Sequence, residues 1–498
     1  MVTPLQTSVV IIGAGPTGLS MAAQLQRYGI DFLIIEKNES PTHLSKAIAV
    51  QARTLEIFRE LGIADEAVKR GRLTTGMNLF YKGRLKTNVD LAGLGEGLSP
   101  FPFALSLEQS KTEKLLSEYI DGNKILWGTT FSNFEQDERS VTVHYTDKNN
   151  TVKKIEASFL AGCDGASSPV RHQMGASFKG DTVPKIFYVA DVLLKSNVIT
   201  KDQLYMFMIK KGFILFFPME GEGHYRVIGM LPDPDKVKEH FEFSDIRDDI
   251  KKQVEVPLEF EKELWFSSYK VHSRKADSFR NKRCFIAGDA GHIHTPAGGQ
   301  GMNTGIQDAY NLAWKLAFVL KGKGGEALLE SYNAERMENA KNLLKSTDRM
   351  FDILSGVHRF WNFIRLTFLP PFIRLISHNK FIQKRFFPLI SQTGITYHDP
   401  YLTIPSKIGN VKAGVRMPYF KLSDGKDILE HLSKPVFKLL YFGNDKEENL
   451  PVETTSFTEI PSALFGNEKD FYVLLRPDNH ISYIGKDLNK CRELLNAL

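Results

Sequence analysis

The chain has 498 residues, 42% of them hydrophobic and 24% charged, which is enough apolar surface for a large core and a length that divides into two to four domains. Its formal net charge of +6 is mild for this size, and basic residues mix with acidic ones along most of the sequence, so no nucleic-acid partner is implied. Cys163, Cys284 and Cys491 lie far apart, with no CxxC and no Cys/His cluster at zinc spacing; this argues against a disulfide framework or structural metal and fits a reducing, cytoplasmic compartment.

The N-terminus "MVTPLQTSVVIIGAG" lacks the basic region of a signal peptide, and no run of about 18 uncharged apolar residues predicts a spanning helix. "SVVIIGAGPTGLSMAAQLQRYGIDFLIIEK" reads as strand, glycine turn, helix and strand, one βαβ unit, and a helix "ARTLEIFRELG" follows. Short strand-like runs then dominate residues 73–108 and about 184–270, among them "KIFYVADVLL", "GFILFFPM" and "YRVIGML", and predict a largely antiparallel sheet inserted in an α/β frame. Residues 327–398 read mostly as helix, with Pro370 and Pro371 breaking the pattern. The last hundred residues return to strands, "KPVFKLLYFG" and "DFYVLLRPDNHISYIGK", and end in a helix "KCRELLNAL", as a separate small α/β domain would.

The first chemical motif is "GAGPTG". Gly13 permits the tight turn, Gly15 lets backbone approach a pyrophosphate, and Gly18 allows close packing of helix on strand, with the helix N-terminus facing the phosphates. The second strand ends in Glu36, placed to accept hydrogen bonds from ribose hydroxyls, which suits FAD or NAD and not a stored NADP. "LAGCDGASSPVRHQMG" sets Asp164 after an apolar strand, and "CFIAGDAGHIHTPAGGQGMNTG" sets Asp289 after another. Taken alone, each carboxylate fits an ordinary acidic turn as well as a sugar contact.

Together and in this order, Gly13, Gly15, Gly18 and Glu36, "CDGASSPVR" and "GDAGHIHTPAGGQGMNTGIQDAYNLAWKLA" resemble the class A FAD-dependent aromatic monooxygenases, the family of p-hydroxybenzoate, phenol and polyketide hydroxylases. The resemblance runs from about residue 8 to 350, and the tail resembles the thioredoxin-like domain of the phenol and polyketide hydroxylase branch. It implies an α/β fold with a Rossmann-like FAD-binding domain at 1–72, 109–180 and 271–398, a substrate-binding sheet domain at 73–108 and 181–270, and a thioredoxin-like domain at 399–498. It implies FAD held by Gly13, Gly15, Pro16, Gly18, Glu36 and Lys37, a shared FAD and NAD(P)H role around Asp164, and ribityl contact from Asp289 beside Gly288. Flavin contacts from Arg53 and Gln109 are implied as well, although each side chain read alone is a solvated helix residue.

A reduced flavin carries negative charge at N1 and the C2 carbonyl. If "PAGGQGMN" runs along the ring edge, Gly298, Gly299 and Gly301 let main chain approach where a Cβ would clash. Met302 and Asn303 then offer backbone N–H groups at a helix start, and Pro296 walls the substrate side near C4a. The catalytic expectation accordingly rests on Pro296, Gly299, Met302 and Asn303. The implied chemistry is reduction of flavin by NADPH or NADH, a C4a hydroperoxide formed with O2, and attack by an electron-rich aromatic carbon on the distal oxygen. The expected substrate is a small phenolic or polycyclic aromatic; the alternatives are an epoxidase or reductase of a lipophilic non-aromatic compound, or a non-catalytic binding protein of the same fold.

Three departures from the family pattern stand out. Gly291 replaces a usual second alanine, Lys46 stands where many relatives carry arginine, and the tail has no CxxC, which excludes disulfide reductase activity there and leaves a structural or assembly role. His292 and His294 sit at i, i+2 in a glycine loop and read as packed or hydrogen-bonded rather than metal-binding. Phe207, Phe213, Phe216, Phe217 and Tyr225 offer a pocket floor or plain core. The aromatic, basic stretch "FWNFIRLTFLPPFIRLISHNKFIQKRFFPLI" reads as helices packed on the flavin domain, with an amphipathic surface for a membrane or lipophilic substrate as the alternative. A monomer or homodimer without membrane association is expected.

Overall fold

In the computed structural model, which describes residues 5–42, 47–199, 203–210, 212–231, 241–296, 298–355, 359–444 and 450–498, the apolar run "VVII" forms the inner half of the strand Leu5–Ile12. Val9, Val10 and Ile11 are wholly buried because neighbours cover both faces of the sheet, the environment that favours continuous β-branched runs. This strand pairs in parallel with Val152–Gly162 on one side and Phe32–Ile35 on the other. Cys284–Ile286 and Ile125–Leu126 extend the parallel sheet outward, and the hairpin Thr130–Gln136 and Val141–Thr146 joins it antiparallel. Helix Pro16–Arg27 returns the chain between the first two parallel strands, as the glycine fingerprint predicts.

A second eight-stranded sheet is built from Gly76–Tyr81, Arg84–Asp90 and four long or medium strands between Phe178 and Met230, with Glu259–Ala276 and a short edge strand His292–Ile293. It is antiparallel except where Gln203–Ile209 runs parallel to Gly76–Tyr81. The edge strand belongs to the glycine-rich segment, so Arg274 and Lys275 pair directly with Ile293 and His292 and couple the two sheets. One face of this sheet packs on helix Phe243–Val254, and there Phe207, Phe216 and Tyr225 lie. The other face carries Phe187, Met206, Met208, Phe213 and Met230 against helices between residues 326 and 378. The suggested pocket floor is thus divided: side chains alternate along a strand, and Phe207, Phe216 and Tyr225 lie on the face opposite Phe213.

Helix Gly301–Leu320 is buried on every side from Asn303 to Ala317, so it has no polar face, and the polar residues within it, Asp308 and Lys315 among them, find partners inside the protein. A 30-residue helix, Glu326–Ser355, follows. The break expected at Pro370 falls at Phe368: the prolines occupy the first turn of helix Leu369–His378, where no intrahelical N–H is lost. The tail forms a four-stranded sheet in the order Glu453–Phe457, Lys438–Phe442, Phe471–Leu475, Ile481–Gly485, the first pair parallel and the others antiparallel, with helix Leu488–Asn496 last. That order and those directions fit a thioredoxin-like core.

Candidate active site

Four segments that end at residues 12, 35, 162 and 286 lie side by side. Ile12 pairs with Ile35 and with Gly162, and Gly162 pairs with Ile286, so the carboxyl ends of four adjacent parallel strands form one row. Gly13, Glu36, Cys163 and Ala287 follow directly. Gly13 N–H donates to the Ile35 carbonyl at 2.8 Å, Cys163 N–H to Ile12 at 2.8 Å, and Ala287 N–H to Gly162 at 3.0 Å, carrying the ladder one step into the turns. The crevice beyond such strand ends is where open α/β sheets bind ligands.

Gly13 has φ +101°, and a Cβ there would lie 2.5 Å from the Cys163 carbonyl oxygen; a Cβ on Gly18 would lie 1.9 Å from that of Gly13. These two glycines serve packing. Gly15 differs, since an added Cβ would meet nothing within 4 Å and would project into open space. Gly15 also caps helix Pro16–Arg27 without any side-chain acceptor, and Pro16 occupies its first position, so the amides of Thr17 and Gly18 lack a side-chain cap. Glu36 is buried, with Oε2 accepting from Ala14 N–H at 2.7 Å and Oε1 from Asn38 N–H at 2.9 Å. Each oxygen has a further lone pair for a hydroxyl. Lys37 is exposed beside it.

Asp164 follows the longest parallel strand. Its Oδ2 accepts from Val170 N–H at 3.0 Å, while the buried Oδ1 has no partner. Burial pushes this carboxyl above the usual range, opposed by hydrogen bonds from Ser168 and Val170. Gly165, φ +80°, opens onto empty space as Gly15 does. Arg171 ties this turn to the next motif, donating to the Ala290 carbonyl at 2.9 Å and the Ala166 carbonyl at 2.9 Å.

Asp289 is exposed, on the single turn Gly288–Ala290. A Cβ on Gly288 would sit 2.5 Å from Thr17 Oγ1, and one on Gly305 would sit 2.3 Å from the same atom. Thr17 therefore locks the first helix, the Asp289 turn and helix Gly301–Leu320 together. Beneath them lies Asp308, fully buried: Oδ2 accepts from Gly288 N–H at 2.9 Å and from His292 Nε2 at 2.7 Å, and Oδ1 from Arg336 Nε at 2.5 Å. Burial alone would raise this carboxyl, but Arg336 and His292 outweigh it and hold it at about 2.

In the glycine loop, the Pro296 carbonyl accepts from Gly299 N–H at 3.1 Å, and Gly298 and Gly299 take φ of +83° and +60°. Only Gly299 is crowded, its Cβ position lying 3.1 Å from Ala49 Cβ; Gly301 has room, with His294 Nε2 nearest at 3.6 Å. Asn303 is buried and fully used: Oδ1 accepts from Gln51 N–H (2.9 Å) and Thr54 Oγ1 (2.8 Å), and Nδ2 donates to Ala49 (2.9 Å) and Gly299 (3.0 Å). Its side chain pins the loop. Gln300 gives no side-chain cap, and the first intrahelical bond is Thr304 N–H to Gln300, so the amides of Gly301, Met302 and Asn303 have no intrahelical acceptor. His292 and His294 are held as packed, hydrogen-bonded residues; His294 Nδ1 bonds the Thr295 carbonyl at 2.6 Å, and burial lowers that imidazole to about 4. Among the described residues no metal-binding cluster occurs.

Gln109 opens helix Gln109–Tyr119, donates from its backbone to Ala47 at 3.0 Å and from Nε2 to Glu113 at 2.9 Å. Glu113, which the sequence reading missed, is buried near Glu36; burial raises its carboxyl. Lys46 lies outside the described residues.

The Arg53 guanidinium is buried, paired with Glu56 at 3.1 Å, donating to the Asp478 carbonyl at 3.0 Å and lying 5.4 Å from the Tyr310 ring centroid. It is consumed in docking the tail. The tail turn "RPDNH" is buried against helices Gly301–Leu320 and Glu326–Ser355: Arg476 pairs with Glu335 and Asp478, Lys315 with Glu335 at 2.8 Å, and Trp314 Nε1 donates to Asp478 at 3.3 Å.

Residues 6–347 match the family model described as FAD binding domain. The chain is 31% identical over 459 residues to 6-methylpretetramide 4-monooxygenase of Streptomyces rimosus, covering 88% of this chain and 79% of that one. It is 29% identical to the uncharacterized aromatic compound monooxygenase YhjG of Bacillus subtilis, covering 99% and 97%. Among solved structures it is similar to the anhydrotetracycline hydroxylase OxyS of Streptomyces rimosus, with a TM-score of 0.78, 26% identity and 99% of each chain covered. With the strand-end crevice, the two open glycines and the two uncapped helix starts, these likenesses place the chain in the FAD binding domain family, as an FAD-dependent, NAD(P)H-using monooxygenase of the aromatic hydroxylase class.

Proposed function

We propose that the chain hydroxylates a phenolic substrate, single-ring or polycyclic, in the crevice between the parallel sheet and the methionine- and phenylalanine-bearing face of the second sheet. The observation that carries this reading is the row of four strand ends, which brings Gly15, Glu36, Asp164 and the Asp289 turn to one side of the molecule. Bound there, FAD reduced by NAD(P)H supplies the activation of dioxygen for transfer of one oxygen atom to the ring.

The chain's own residues then have distinct tasks. Gly13 and Gly18, through their close packing, hold the turn so that Gly15 and Pro16 seat the pyrophosphate at the start of helix Pro16–Arg27, Glu36 takes the ribose hydroxyls, and Lys37 adds positive charge at the rim. Asp289 takes ribityl hydroxyls, on a turn that Gly288 and Asp308 fix. Asp164, with one unpartnered oxygen, faces the same crevice, and Gln109 steadies the segment before Ile48. Pro296, Gly299 and Gly301 bring the loop to the flavin edge. The unsatisfied amides of Met302 and Asn303 favour a reduced, anionic ring by about 0.3–1 kcal/mol through the helix dipole, rising to about 2 kcal/mol when partly buried.

The face carrying Met206, Met208, Phe213 and Tyr269, on which Leu366, Leu369 and Ile373 also pack, offers an apolar lining that an aromatic ligand would meet at its margin: methionine adapts to irregular shapes and makes favourable contacts with rings. The division into 1–72, 109–180 and 271–398 for FAD, 73–108 and 181–270 for substrate, and 399–498 as a docked tail is part of this proposal. So is action in the cytoplasm as a monomer or homodimer, which three free, buried cysteines support.

The test is a panel of phenols and polycyclic phenols with the FAD-loaded protein. Stimulated NAD(P)H consumption with a product heavier by one oxygen atom is expected. Flavin reduction that no aromatic compound accelerates, or peroxide as the sole oxygen product across the panel, would refute it.

A further inference from the structure

No carboxylate occurs between Asp352 and Asp399, yet Arg359, Arg365, Arg374, Lys380, Lys384 and Arg385 all fall in that stretch. The rest of the chain carries 58 residues of each sign, so the whole formal charge of +6 belongs to this segment. It folds as helices Arg359–Thr367, Leu369–His378 and Lys380–Ile390. Their inner side chains are spent on packing. Leu366, Leu369 and Ile373 lie on the apolar face of the second sheet, and Ile382, Phe386 and Phe387 on the main core. Arg365 is buried, donating to the carbonyls of Ile209, Lys210, Gly212 and Leu354.

The outer side is the reverse of an ordinary surface. Phe363, Phe368, Phe372, Leu375, Phe381 and Leu389 are between 51% and 68% exposed, and they include every strongly exposed phenylalanine among the described residues. Phe368, Phe372 and Leu375 follow one helical stripe, as do Phe381, Arg385 and Leu389. Arg374, Lys380, Lys384 and Arg385 are exposed among them, with the Arg385 guanidinium 5.9 Å from the Phe381 ring centroid and Lys380 Nζ 3.6 Å from Glu96.

We infer that this face docks on an anionic lipid bilayer, its aromatic stripe lying among the headgroups and its bases meeting lipid phosphates and carboxylates. The charge selects the occupant. A second copy would bring two faces of the same sign together, whereas an anionic bilayer complements both the apolar stripe and the bases that flank it. The attachment is peripheral, since no helix of the described residues is long and apolar enough to cross a membrane. This inference sets aside the sequence expectation of no membrane association and stands independently of the substrate class. It also has a consequence for access: the first two of these helices close the substrate-side face of the second sheet, so a lipophilic compound dissolved in the bilayer would meet the protein at its substrate domain.

The test uses the full, FAD-loaded chain in co-sedimentation with vesicles of phosphatidylcholine alone and of phosphatidylcholine and phosphatidylserine in equal parts. Binding to the anionic vesicles is expected, weakened by salt, with each lost base costing about five-fold in partitioning. Lys384→Glu with Arg385→Glu should abolish the preference for anionic vesicles, and Phe372→Ser with Leu375→Ser should weaken binding while the bases remain. Both pairs are exposed, so an unchanged flavin spectrum and melting temperature verify the fold. Wild-type protein that stays in solution with both vesicles overturns the inference. So does a wild-type dimer, dispersed by the apolar pair, that binds no vesicle; that outcome assigns the face to a second copy.

Discussion

Asp308 offers a test that joins stability to cofactor binding. Substitution by alanine removes the acceptor shared by the Gly288 amide and His292 Nε2 and leaves Arg336, which is 0% exposed, without its carboxylate. Arg336 keeps only neutral partners, the Tyr397 hydroxyl at 2.9 Å and the Thr304 carbonyl at 3.3 Å. Breaking a buried pair from one side costs about 3–5 kcal/mol, or a fall in melting temperature of roughly 6–20 °C for a domain of this size. The Asp289 turn loses its anchor with the pair, so FAD affinity should fall at least about ten-fold, equivalent to about 1.4 kcal/mol.

The pH dependence carries an independent sign. Because the folded carboxyl is depressed from 3.8 to about 2, its contribution is present above the unfolded value and is lost as pH falls through about 2. That shift corresponds to about 2–3 kcal/mol in favour of the folded, charged form at neutral pH. Urea unfolding of FAD-loaded wild type and Asp308→Ala, followed in parallel by flavin fluorescence and far-UV circular dichroism, measures both effects. The gap between the two proteins should narrow between about pH 5 and pH 2. A variant that unfolds at the wild-type midpoint and keeps its FAD, or a gap independent of pH, would show that the network does not hold the turn.

The other predictions separate packing glycines from ligand-facing ones and cofactor contacts from tail contacts. Gly15→Val has room in the free protein and should fold with a normal melting temperature while losing FAD binding by calorimetry, whereas Gly18→Ala, with its Cβ 1.9 Å from the Gly13 carbonyl oxygen, should destabilise the fold itself. Equal thermal losses in both would contradict the open-cradle reading. Asp289→Ala should weaken FAD by about ten- to hundred-fold, the worth of a hydrogen bond to a charged group at about 1.5–3 kcal/mol, and unchanged affinity by calorimetry would remove Asp289 from the cofactor site. Arg53→Ala should lower stability by about 1–3 kcal/mol with an unchanged flavin spectrum, since Glu56 retains Arg416 at 3.3 Å and Ser99 at 2.8 Å. A shifted spectrum at unchanged stability would return Arg53 to the flavin.

What could be read in the sequence was local or motif-borne. The fingerprint around Gly13 is contiguous, and its turn and helix follow from glycine freedom and apolar periodicity. That Asp164 and the Asp289 turn flank the same crevice depends on strand pairs more than 100 residues apart, which only a family pattern can supply. The surroundings of Arg53 are only half legible: its partners are Glu56, an i+3 neighbour visible in sequence, and the carbonyl of Asp478, 425 residues away, which is not. "RPDNH" looks like a solvated turn because it is polar and contains proline, and it is buried because Glu335, itself held by Lys315, and Trp314 complete its hydrogen bonds from helices Glu326–Ser355 and Gly301–Leu320. One signal was available and unused. Asp308 and Lys315 stand in a helix whose other residues are largely apolar or small, and a charge in a helix buried all round must find a partner or be neutralised. Such charges mark where a second element docks, and here those elements are the long helix Glu326–Ser355 and, through Glu335, the tail. The rigidity of the flavin loop therefore extends from the glycines themselves to the distant carboxylates and guanidinium groups beneath them, which composition and periodicity do not encode.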